Sequence, residues 1–433
     1  MQTDAAPRSL GLDFGTTNTV GALSGGGLAP ALISFVGPDA AVEVFRSALC
    51  FWENDDVAGG IAADAGPWAV AEYLAYPQGS RFIQSFKSVA ASRNFETASI
   101  LGKRFSFEAL GRLFLDRLVS HSGGALDARP QRVIVGRPVT YAGSSPDATL
   151  ARERYGRMFA GFGAEIHYVY EPLAAAFSYA ARLTDEATVL VADFGGGTSD
   201  FSIVHMKQRG KSQRFTPLGH AGIGIAGDDF DFRLMDRLVL PKLGKGGEYR
   251  SFGKQLTIPG SYFADFANWS RLALMRNRRT LEELRRLQHQ AIDPDAIARL
   301  IAVVENELGY PLYDAIGRLK RGLSTNECST FQFAGGGLDI IADVSRAEFE
   351  AWIGDDLASI EGCVDGALAT AGLTDAGIDR VFLTGGSSLI PAVRAIFERR
   401  FGSARVAIGG ELTSIAQGLA LIGERDDISE WAV

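Results

Sequence analysis

Cysteine is scarce in this chain of 433 residues, which contains only Cys50, Cys328 and Cys363. The three lie far apart and form neither a CxxC pair nor a Cys/His metal pattern, which excludes a disulfide framework. The chain also lacks any run near the ~18 apolar residues that a membrane span requires. Its first residues, MQTDAAPRSLGLDFG, lack the basic start and apolar core of a secretion signal. We therefore expect a cytoplasmic protein that does not associate with membranes.

Positive charge is in short supply as well. Lysine and arginine total 43 against 51 for aspartate and glutamate, which gives a formal net charge of −8. Because the chain has no general positive field to attract phosphate backbones, nucleic acid is not an expected partner. The arginines of residues 271–286 alternate with glutamate and leucine, which is typical of a solvated helix face rather than of a nucleic-acid patch.

Glycine is abundant instead, with 51 residues or about 12% of the chain against about 7% on average. Residues 10–23 read LGLDFGTTNTVGAL, in which two apolar pieces flank a Gly/Thr turn, and this predicts a strand, a tight loop and a strand. Residues 189–204, VLVADFGGGTSDFSIV, repeat the pattern. Both segments place Asp-Phe-Gly at the end of the first strand, so Asp13 and Asp193 occupy equivalent positions. We interpret this as an internal duplication within two larger halves.

Both loops have the composition of a phosphate cradle. Glycine permits positive φ and has no Cβ to hold a phosphate away from the backbone amides. An aspartate beside a phosphate needs a cation, so Asp13 and Asp193 predict a Mg²⁺ ion held directly or through water. A single loop of this kind is equally typical of an ordinary hairpin turn, but the repeated pair favours a phosphate chain with Mg²⁺ between two lobes. The cradle residues are Gly15, Thr16, Thr17, Gly195, Gly196, Gly197 and Thr198.

Strands and helices alternate along the rest of the chain. Residues 132–139 predict a buried strand, residues 167–180 a strand and an alanine-rich helix, and residues 380–384 another strand, which together favour an α/β sheet. The GxGxxG pattern of residues 222–227 precedes a helix, but the weak strand character of residues 217–221 argues against a dinucleotide fold. The serines of residues 385–389 lack the closing glycine of a nucleophile elbow and are interpreted as turn and capping residues.

Taken together, the motifs resemble the nucleotide-binding domain of the seventy-kilodalton heat-shock chaperones (DnaK-like), within the actin and hexokinase ATPase superfamily. GLDFGTTNTV is similar to the family's first phosphate loop, YEPLAAAFSYA to its connecting helix and VADFGGGTSDFSIV to its second phosphate loop. GIAGDDFDFRLMDRL resembles its GGEDFD segment and VFLTGGSSLIPAVRAIF its adenosine segment. The five segments follow the family's order and cover nearly the whole chain. GRPV at residues 136–139 and the early stop are most similar to the short YegD-like branch.

The resemblance implies a two-lobed, actin-like ATPase fold with ribonuclease H-like sheets and ATP in the interlobe cleft. Lobe I would comprise residues 1–185, divided into subdomain IA (1–35 and 125–185) and subdomain IB (36–124). Lobe II would comprise residues 186–410, divided into IIA (186–227 and 325–410) and IIB (228–324), and residues 411–433 would return to lobe I. We expect the peptide-binding domain of the family to be absent.

The resemblance also implies roles for individual residues. Asp13 and Asp193 would bracket Mg²⁺ through waters, while Thr16, Thr17 and Thr198 would hold the β- and γ-phosphates. Glu171 and Asp200 would orient the attacking water and receive its proton. Lys87 would approach the γ-phosphate, because FIQSFKSVA resembles the family's lysine-bearing strand; the alternative is an exposed strand lysine. The nucleoside would contact Gly227, Asp228, Lys320, Arg321, Ser324, Gly385, Gly386 and Ser387.

Two departures from the family pattern concern the nucleoside. Gly317 stands where the family commonly has a glutamate for the ribose hydroxyls, and Leu389 stands where it often has an arginine on adenine. We expect a slow, magnesium-dependent ATPase with a chaperone-like role and no identified client. The departures leave open a nucleotide-gated switch or adaptor with negligible hydrolysis. A kinase-like or filament-forming member of the superfamily has less support, because nothing resembles a sugar-binding signature.

Overall fold

The computed structural model describes the chain except for residues 1–8, 26–28, 38–39, 78, 142–144, 163–164, 181–182, 184, 210–211, 268–274, 276 and 411–412. Helices and strands are interspersed along it, so the mixed α/β class predicted from the sequence is confirmed. The chain divides into two compact units. The first contains Met1–Ala75, Gly79–Gly227 and Ala358–Val433, and the second contains Tyr76–Gln78 and Asp228–Leu357.

The strands are β1 Ser9–Phe14, β2 Asn18–Ser24, β3 Ala31–Leu32, β4 Phe35–Val36, β5 Ala41–Val42, β6 Phe45–Arg46, β7 Ala48–Glu53, β8 Ile61–Ala65, β9 Ser80–Gln84, β10 Ala98–Ile100, β11 Lys103–Phe105, β12 Arg132–Arg137, β13 Glu165–Tyr170, β14 Ala187–Phe194, β15 Ser199–Arg209, β16 Ser212–Ile223, β17 Glu248–Ser251, β18 Lys254–Thr257, β19 Cys328–Gly335, β20 Leu338–Ser345, β21 Arg380–Thr384 and β22 Val406–Ile408. The α-helices are α1 Gly66–Ala75, α2 Phe107–Ser120, α3 Ala148–Phe159, α4 Glu171–Ala180, α5 Gly227–Leu238, α6 Ser261–Ala264, α7 Arg278–Gln290, α8 Pro294–Glu305, α9 Gly309–Thr325, α10 Arg346–Trp352, α11 Gly354–Ala371, α12 Pro391–Phe401 and α13 Ser414–Gly423.

One sheet of the first unit has the strand order β13-β12-β1-β2-β3, with β6 also paired to β2. β1 runs antiparallel to β2 and parallel to β12, which runs parallel to β13. Leu10, Leu12 and Phe14 alternate along β1 and are fully buried in the core, as the two-residue period of a strand predicts. The strand therefore carries Asp13 at its carboxyl end, beside the turn to β2.

The second large sheet has the order β16-β15-β14-β21-β22. β14 runs antiparallel to β15 and parallel to β21, and β21 runs parallel to β22. This repeats the first sheet, in which a hairpin strand is also followed on its other side by two parallel strands. Asp193 on β14 has the position that Asp13 has on β1. The predicted internal duplication is therefore present in the sheet topology.

Residues 217–221, before the GxGxxG pattern, lie in β16, and the register of this strand with β15 shifts within the segment, opposite Ile203 and Val204. β16 extends to Ile223 and pairs along its length with β15. The pairing is antiparallel, however, whereas a dinucleotide fold requires the strand to enter a parallel βαβ unit. Hydrogen bonding to β15 thus stabilises residues whose composition alone predicts little strand, and the dinucleotide fold stays excluded on topology.

Helix α13 packs against β1 and α4 through glycines. A Cβ on Gly418 would lie 1.7 Å from the carbonyl oxygen of Ala174, and one on Gly11 would lie 2.2 Å from the carbonyl oxygen of Ala416. Both obstacles are backbone atoms, which cannot rotate away as the end of a side chain can. The helix near the end of the chain is therefore tied closely to its first strand.

Gly418→Ala should destabilise the protein by about 3 kcal/mol or more, because α13 and α4 must separate to accommodate the new methyl group. Gly156→Ala is the matched control, since Gly156 lies within α3 and a Cβ there has nothing within 4 Å. That change should stabilise the protein by about 0.5–1 kcal/mol through helix propensity. Denaturant unfolding measures both, and a Gly418→Ala protein as stable as the wild type would contradict this packing.

The second unit contains the hairpins β17–β18 and β19–β20 and the helices α7 to α9. On α7, Arg278 and Arg279 pair with Glu282 and Glu283 at 2.8 Å and 3.0 Å, with the arginines 93% and 89% exposed. Pairs of this i, i+4 type are typical of a solvated helix face, which confirms that interpretation for these arginines. Arg271 lies outside the described residues. Across the part of the chain that the structure describes, no helix has the length and apolar character needed to cross a membrane.

Candidate functional site

The turn between β1 and β2 is a tight loop led by glycine. The Gly15 amide donates to the carbonyl oxygen of Asn18 at 3.0 Å, and a Cβ on Gly15 would lie 2.3 Å from that oxygen. Ser47 holds the loop from the side: its hydroxyl donates to the Gly15 carbonyl at 2.7 Å and its amide to the Thr17 carbonyl at 2.9 Å. Thr16 and Thr17 are therefore carried by a turn of fixed conformation.

The turn between β14 and β15 repeats this geometry. The Gly195 amide donates to the carbonyl oxygen of Thr198 at 3.0 Å, which is the same i to i+3 bond that Gly15 makes. The Gly227 amide donates to the Gly195 carbonyl at 3.3 Å, so Gly227 contacts this loop. Gly196 and Gly197 complete the turn.

The segment after β21 lies against the second loop. Gly385 has a φ of +82°, and a Cβ there would lie 2.2 Å from the carbonyl oxygen of Phe194. The positive φ and the close approach of the Phe194 carbonyl each require glycine at this position. Gly386 and Ser387 continue into a short 3-10 helix, in which the Ser388 hydroxyl donates to the Gly385 carbonyl at 2.7 Å. The interpretation of this serine as a turn residue is confirmed, but its predicted capping role was wrong, because neither the 3-10 helix nor α12 has a side-chain cap.

Acidic side chains gather at the carboxyl ends of β1 and β14. Asp193, Asp200 and Glu171 are 4%, 0% and 6% exposed. Burial, and after it the charge of Glu171, raises the pKa of Asp13 to about 7 and that of Asp200 to about 7. Burial, then Glu171 and Asp13, raises the pKa of Asp193 well above its usual value. The aspartates that precede the two loops are therefore close enough to act on each other.

Lys87 is a cation within this group. Its Nζ donates to Oε1 of Glu171 at 2.8 Å, and both side chains are 7% exposed. Burial lowers the pKa of Lys87, but Glu171 and its neighbours outweigh burial, and the net shift is upward. The prediction of a strand lysine was wrong. β9 ends at Gln84, Ser85 adopts a φ of 57°, and Lys87 lies in the 3-10 helix Phe86–Val89, buried rather than exposed.

Arg154 on α3 holds the segment that follows Lys87. Its Nη1 donates to the carbonyl oxygens of Val89, Ala90 and Ser92 at 2.9, 3.0 and 3.0 Å. The side chain is 7% exposed, and these carbonyls replace the water that a buried guanidinium gives up. Arg154 could not be identified from the sequence, because its partners are backbone carbonyls, which leave no signal in residue type. Ser47 was missed for the same reason.

One carboxylate oxygen of Asp200 accepts hydrogen bonds, whereas the other has no partner in the described residues. Oδ1 accepts the amides of Val139 and Thr140 at 2.9 Å and 3.2 Å. Oδ2 is buried and has no hydrogen-bond partner within the described residues. A buried carboxylate oxygen without a donor is costly, so this atom is suited to a water or a ligand.

The charges of this cluster suit a hydrated divalent cation. Asp13, Asp193, Asp200 and Glu171 face the ammonium group of Lys87. Burial, and after it the excess of negative charge, raises the pKa values of the three aspartates. Among the described residues, no three His, Cys, Asp or Glu side chains are grouped closely enough to hold an ion by themselves. Magnesium typically keeps several waters and takes one or two protein carboxylates. The donor set therefore fits Mg²⁺ held through water.

The remaining predicted residues belong to the second unit. Lys320 forms an ion pair with Asp231 at 2.9 Å, with both side chains 17% exposed, and the Ser324 hydroxyl donates to the Lys320 carbonyl at 3.0 Å. Nη1 of Arg321 lies 3.4 Å from the place a Cβ on Gly317 would take. The guanidinium of Arg321 thus lies beside the position at which the family commonly has a glutamate. The predicted residues of this unit are Asp228, Lys320, Arg321 and Ser324.

The sequence matches the Hsp70 protein family over residues 83–243 and 305–424. It is 25% identical over 303 residues to the stromal 70 kDa heat shock-related protein, chloroplastic, of Pisum sativum; the aligned region covers 70% of this chain and 35% of that protein. The chain thus spans about a third of the length of this curated relative.

The fold is a mixed α/β architecture. Each of the two large sheets described above contains one hairpin with an aspartate near the end of its first strand. The family match covers more than half of the chain and includes Lys87, Glu171, and the second loop. The chain belongs to the Hsp70 family, and the resemblance stated from its motifs is confirmed.

Proposed function

We propose that this protein binds ATP with Mg²⁺ and hydrolyses it slowly, in a chaperone-related role. One observation carries this proposal: two glycine-led loops, each behind an aspartate, occur in one compact unit with the buried pair of Lys87 and Glu171. Phosphoryl transfer needs positioning and charge compensation more than covalent chemistry, and these are the properties of such a cluster. The lobe boundaries at residues 185 and 410 and the interlobe cleft are part of the same proposal.

The phosphates would be held by the two loops. Thr16, Thr17 and Thr198 would donate hydroxyl hydrogen bonds to the β- and γ-phosphates, while Gly196 and Gly197 let the backbone approach closely. The amide-to-carbonyl bonds within each turn support this role, because they fix the loops before any ligand arrives.

Asp13 and Asp193 would hold the magnesium ion through its waters. When bound, the ion would neutralise charge on the phosphate oxygens. The raised pKa values of the two aspartates support this assignment. Burial first and repulsion second raise them, and a divalent cation would offset both by stabilising the ionised carboxylates.

Glu171 and Asp200 would orient the attacking water and accept its proton. The free Oδ2 of Asp200 supports its part, and a pKa of about 7 is well matched to a general base at neutral pH. Lys87 would offset the charge on the transferring phosphoryl group, an effect for which each such donor is worth about 3–4 kcal/mol. Its burial beside Glu171 keeps it charged and in place.

The residues proposed to contact the nucleoside are Gly227, Asp228, Lys320, Arg321, Ser324, Gly385, Gly386 and Ser387. Because Leu389 is 51% exposed and Gly317 has no side chain, we expect adenine and ribose to be held less firmly than the phosphates.

A nucleotide-gated switch with negligible hydrolysis is the second candidate. The expected weaker contacts to adenine and ribose at Leu389 and Gly317 favour it. Single-turnover kinetics separates the two candidates. ATP that stays intact on the protein for many minutes favours the switch, whereas magnesium-dependent conversion to ADP favours the ATPase.

The ATPase is tested by calorimetry and phosphate release on the purified protein. ATP should bind more than tenfold more tightly with Mg²⁺ than without it, and Asp13→Asn should remove most of that difference. Thr198→Ala should lower the single-turnover rate by about 10–100-fold, because it removes a donor to the transferring phosphoryl group. Thr257→Ala is the control, since Thr257 is exposed at the end of β18. The absence of both magnesium-dependent binding and phosphate release would reject the function.

A further inference from the structure

Arg137 is a buried cation that the proposed chemistry does not use. It is the last residue of β12, within the GRPV segment, and it is 6% exposed. Within the described part of the chain its guanidinium makes no ion pair and no hydrogen bond, and its Nε is buried without a partner. Buried charges in proteins are normally paired or bound to a ligand, so this arginine requires an explanation.

Two tyrosine rings lie beside the guanidinium. Its Cζ is 4.9 Å from the ring centroid of Tyr170 and 5.9 Å from that of Tyr141. Stacking of this kind stabilises a cation over the aromatic face but leaves the N–H groups in the guanidinium plane without acceptors. A planar fork of unused donors is the geometry that binds phosphate and similar oxyanions in a bidentate manner.

A second donor without a partner lies in the same cluster. The Tyr155 hydroxyl is buried and has no hydrogen-bond partner in the described residues, and its ring is 6.2 Å from that of Tyr141. Burial raises the pKa of Tyr141, while Arg137 and Lys87 lower it. The charge of Lys87 is paired with Glu171, so the excess in this cluster is one of donors: Nε of Arg137 and the Tyr155 hydroxyl are both buried without a partner in the described residues.

This cluster adjoins the proposed catalytic residues. Arg137 pairs in register with Tyr170, which directly precedes Glu171. Gly136 also contacts Glu171, since a Cβ on Gly136 would lie 3.0 Å from its Cγ. An anion at Arg137 would therefore be near the Lys87 and Glu171 pair without being held by the two glycine loops.

We propose that Arg137, with Tyr141 and Tyr155, binds a free oxyanion, namely the inorganic phosphate that ATP hydrolysis releases. Such an ion would neutralise the guanidinium and accept hydrogen bonds from its Nε and from the Tyr155 hydroxyl. The source of the phosphate rests on the proposed function, whereas binding of the anion does not. Arg137 would hold the product after cleavage and slow its departure.

Thermal unfolding of the nucleotide-free protein tests the site. Inorganic phosphate should raise the Tm of the wild type more than chloride at equal ionic strength, because it binds the folded state. Arg137→Met should lose this shift. It should also unfold at an equal or higher temperature than the wild type when phosphate is absent, because an apolar side chain replaces an unpaired charge. Arg278→Met, which changes an arginine that is 93% exposed, should keep the phosphate shift.

A purely structural role for Arg137 gives a different result. If the side chain only packs between the tyrosines, Arg137→Met lowers the Tm by the same amount with and without phosphate, and this would overturn the phosphate site. A wild-type protein that shows no phosphate shift and no heat of phosphate binding would overturn it as well. Should the methionine variant not fold, Arg137→Lys is the alternative. It keeps the positive charge but removes the planar guanidinium, and the affinity of this variant for phosphate should fall at least tenfold.

Nucleotide titration separates this site from the proposed function. ATP and ADP should bind to Arg137→Met within twofold of their affinity for the wild type. If Arg137→Met weakens ATP but leaves phosphate binding unchanged, Arg137 belongs to the nucleotide site and the phosphate site is contradicted. If the wild type binds phosphate through Arg137 but binds no nucleotide, the anion site stands and the ATPase fails.

Discussion

Lys87→Met should abolish measurable ATP hydrolysis and destabilise the nucleotide-free protein by about 3–5 kcal/mol. The change leaves the buried carboxylate of Glu171 without its cation. The same carboxylate lies near Asp13 and Asp193, and its charge contributes to the raised pKa of both. It also removes the charge that would offset the γ-phosphoryl oxygens, a loss that typically costs about 10²–10³ in rate. Denaturant unfolding measures the first effect and single-turnover phosphate release the second.

The double variant Lys87→Met, Glu171→Gln isolates the pair. It should recover most of the lost stability, because no unpaired charge remains at this position, while hydrolysis stays absent. Lys207→Met is a matched control, since Lys207 pairs with Glu186 at 3.3 Å but is 55% exposed. Exposed pairs contribute about 0–1 kcal/mol, so that change should be nearly neutral. Additive effects at Lys87 and Glu171 would contradict a buried ion pair.

The contribution of Asp13, Asp193 and Asp200 to the stability of the nucleotide-free protein should fall as the pH rises from about 4 to about 7. The pKa of Asp13 and that of Asp200 are raised from 3.8 to about 7, and that of Asp193 is also raised, first by burial. Below about pH 4 the carboxyl groups are protonated in both states. Between those values the three aspartates are ionised in the unfolded chain but protonated in the folded protein. Each unit rise in pH therefore lowers their contribution to the free energy of unfolding. The loss should total a few kcal/mol, because the three groups share one field.

Asp193→Asn isolates this contribution from that of other acids. The free energy of unfolding of the wild type minus that of Asp193→Asn should fall between pH 5 and pH 7.5. Mg²⁺ with ATP should stabilise the wild type more at pH 8 than at pH 6, because the carboxylates are ionised at the higher pH. A wild-type-minus-variant difference that rises with pH would contradict the burial of these acids.

The two loops could be predicted because their chemistry is local. Asp-Phe-Gly at the end of an apolar strand fixes where the strand stops, and the contact of Gly15 with Asn18 and of Gly195 with Thr198 shows why glycine stands there. Repetition of the pattern then predicted the duplicated sheets that the topology contains. Local residue type was sufficient at these positions.

Other parts of the site could not be predicted, because they depend on contacts between residues distant in the sequence. Lys87 was expected on a strand, but Ser85 takes a left-handed conformation that no sequence pattern indicates, and Arg154 then binds the carbonyls that follow. Asp200 is positioned by the amides of Val139 and Thr140 across two sheets. Backbone partners of this kind are visible only once the chain is folded.

The central claim is that the loops of residues 15–17 and 195–198 hold one triphosphate with its magnesium ion. A crystal structure with Mg²⁺ and a non-hydrolysable ATP analogue tests this most directly. We expect the phosphates to contact both loops, with the ion reached through waters by Asp13 and Asp193. An analogue bound at another place, with both loops free of phosphate, would contradict the claim.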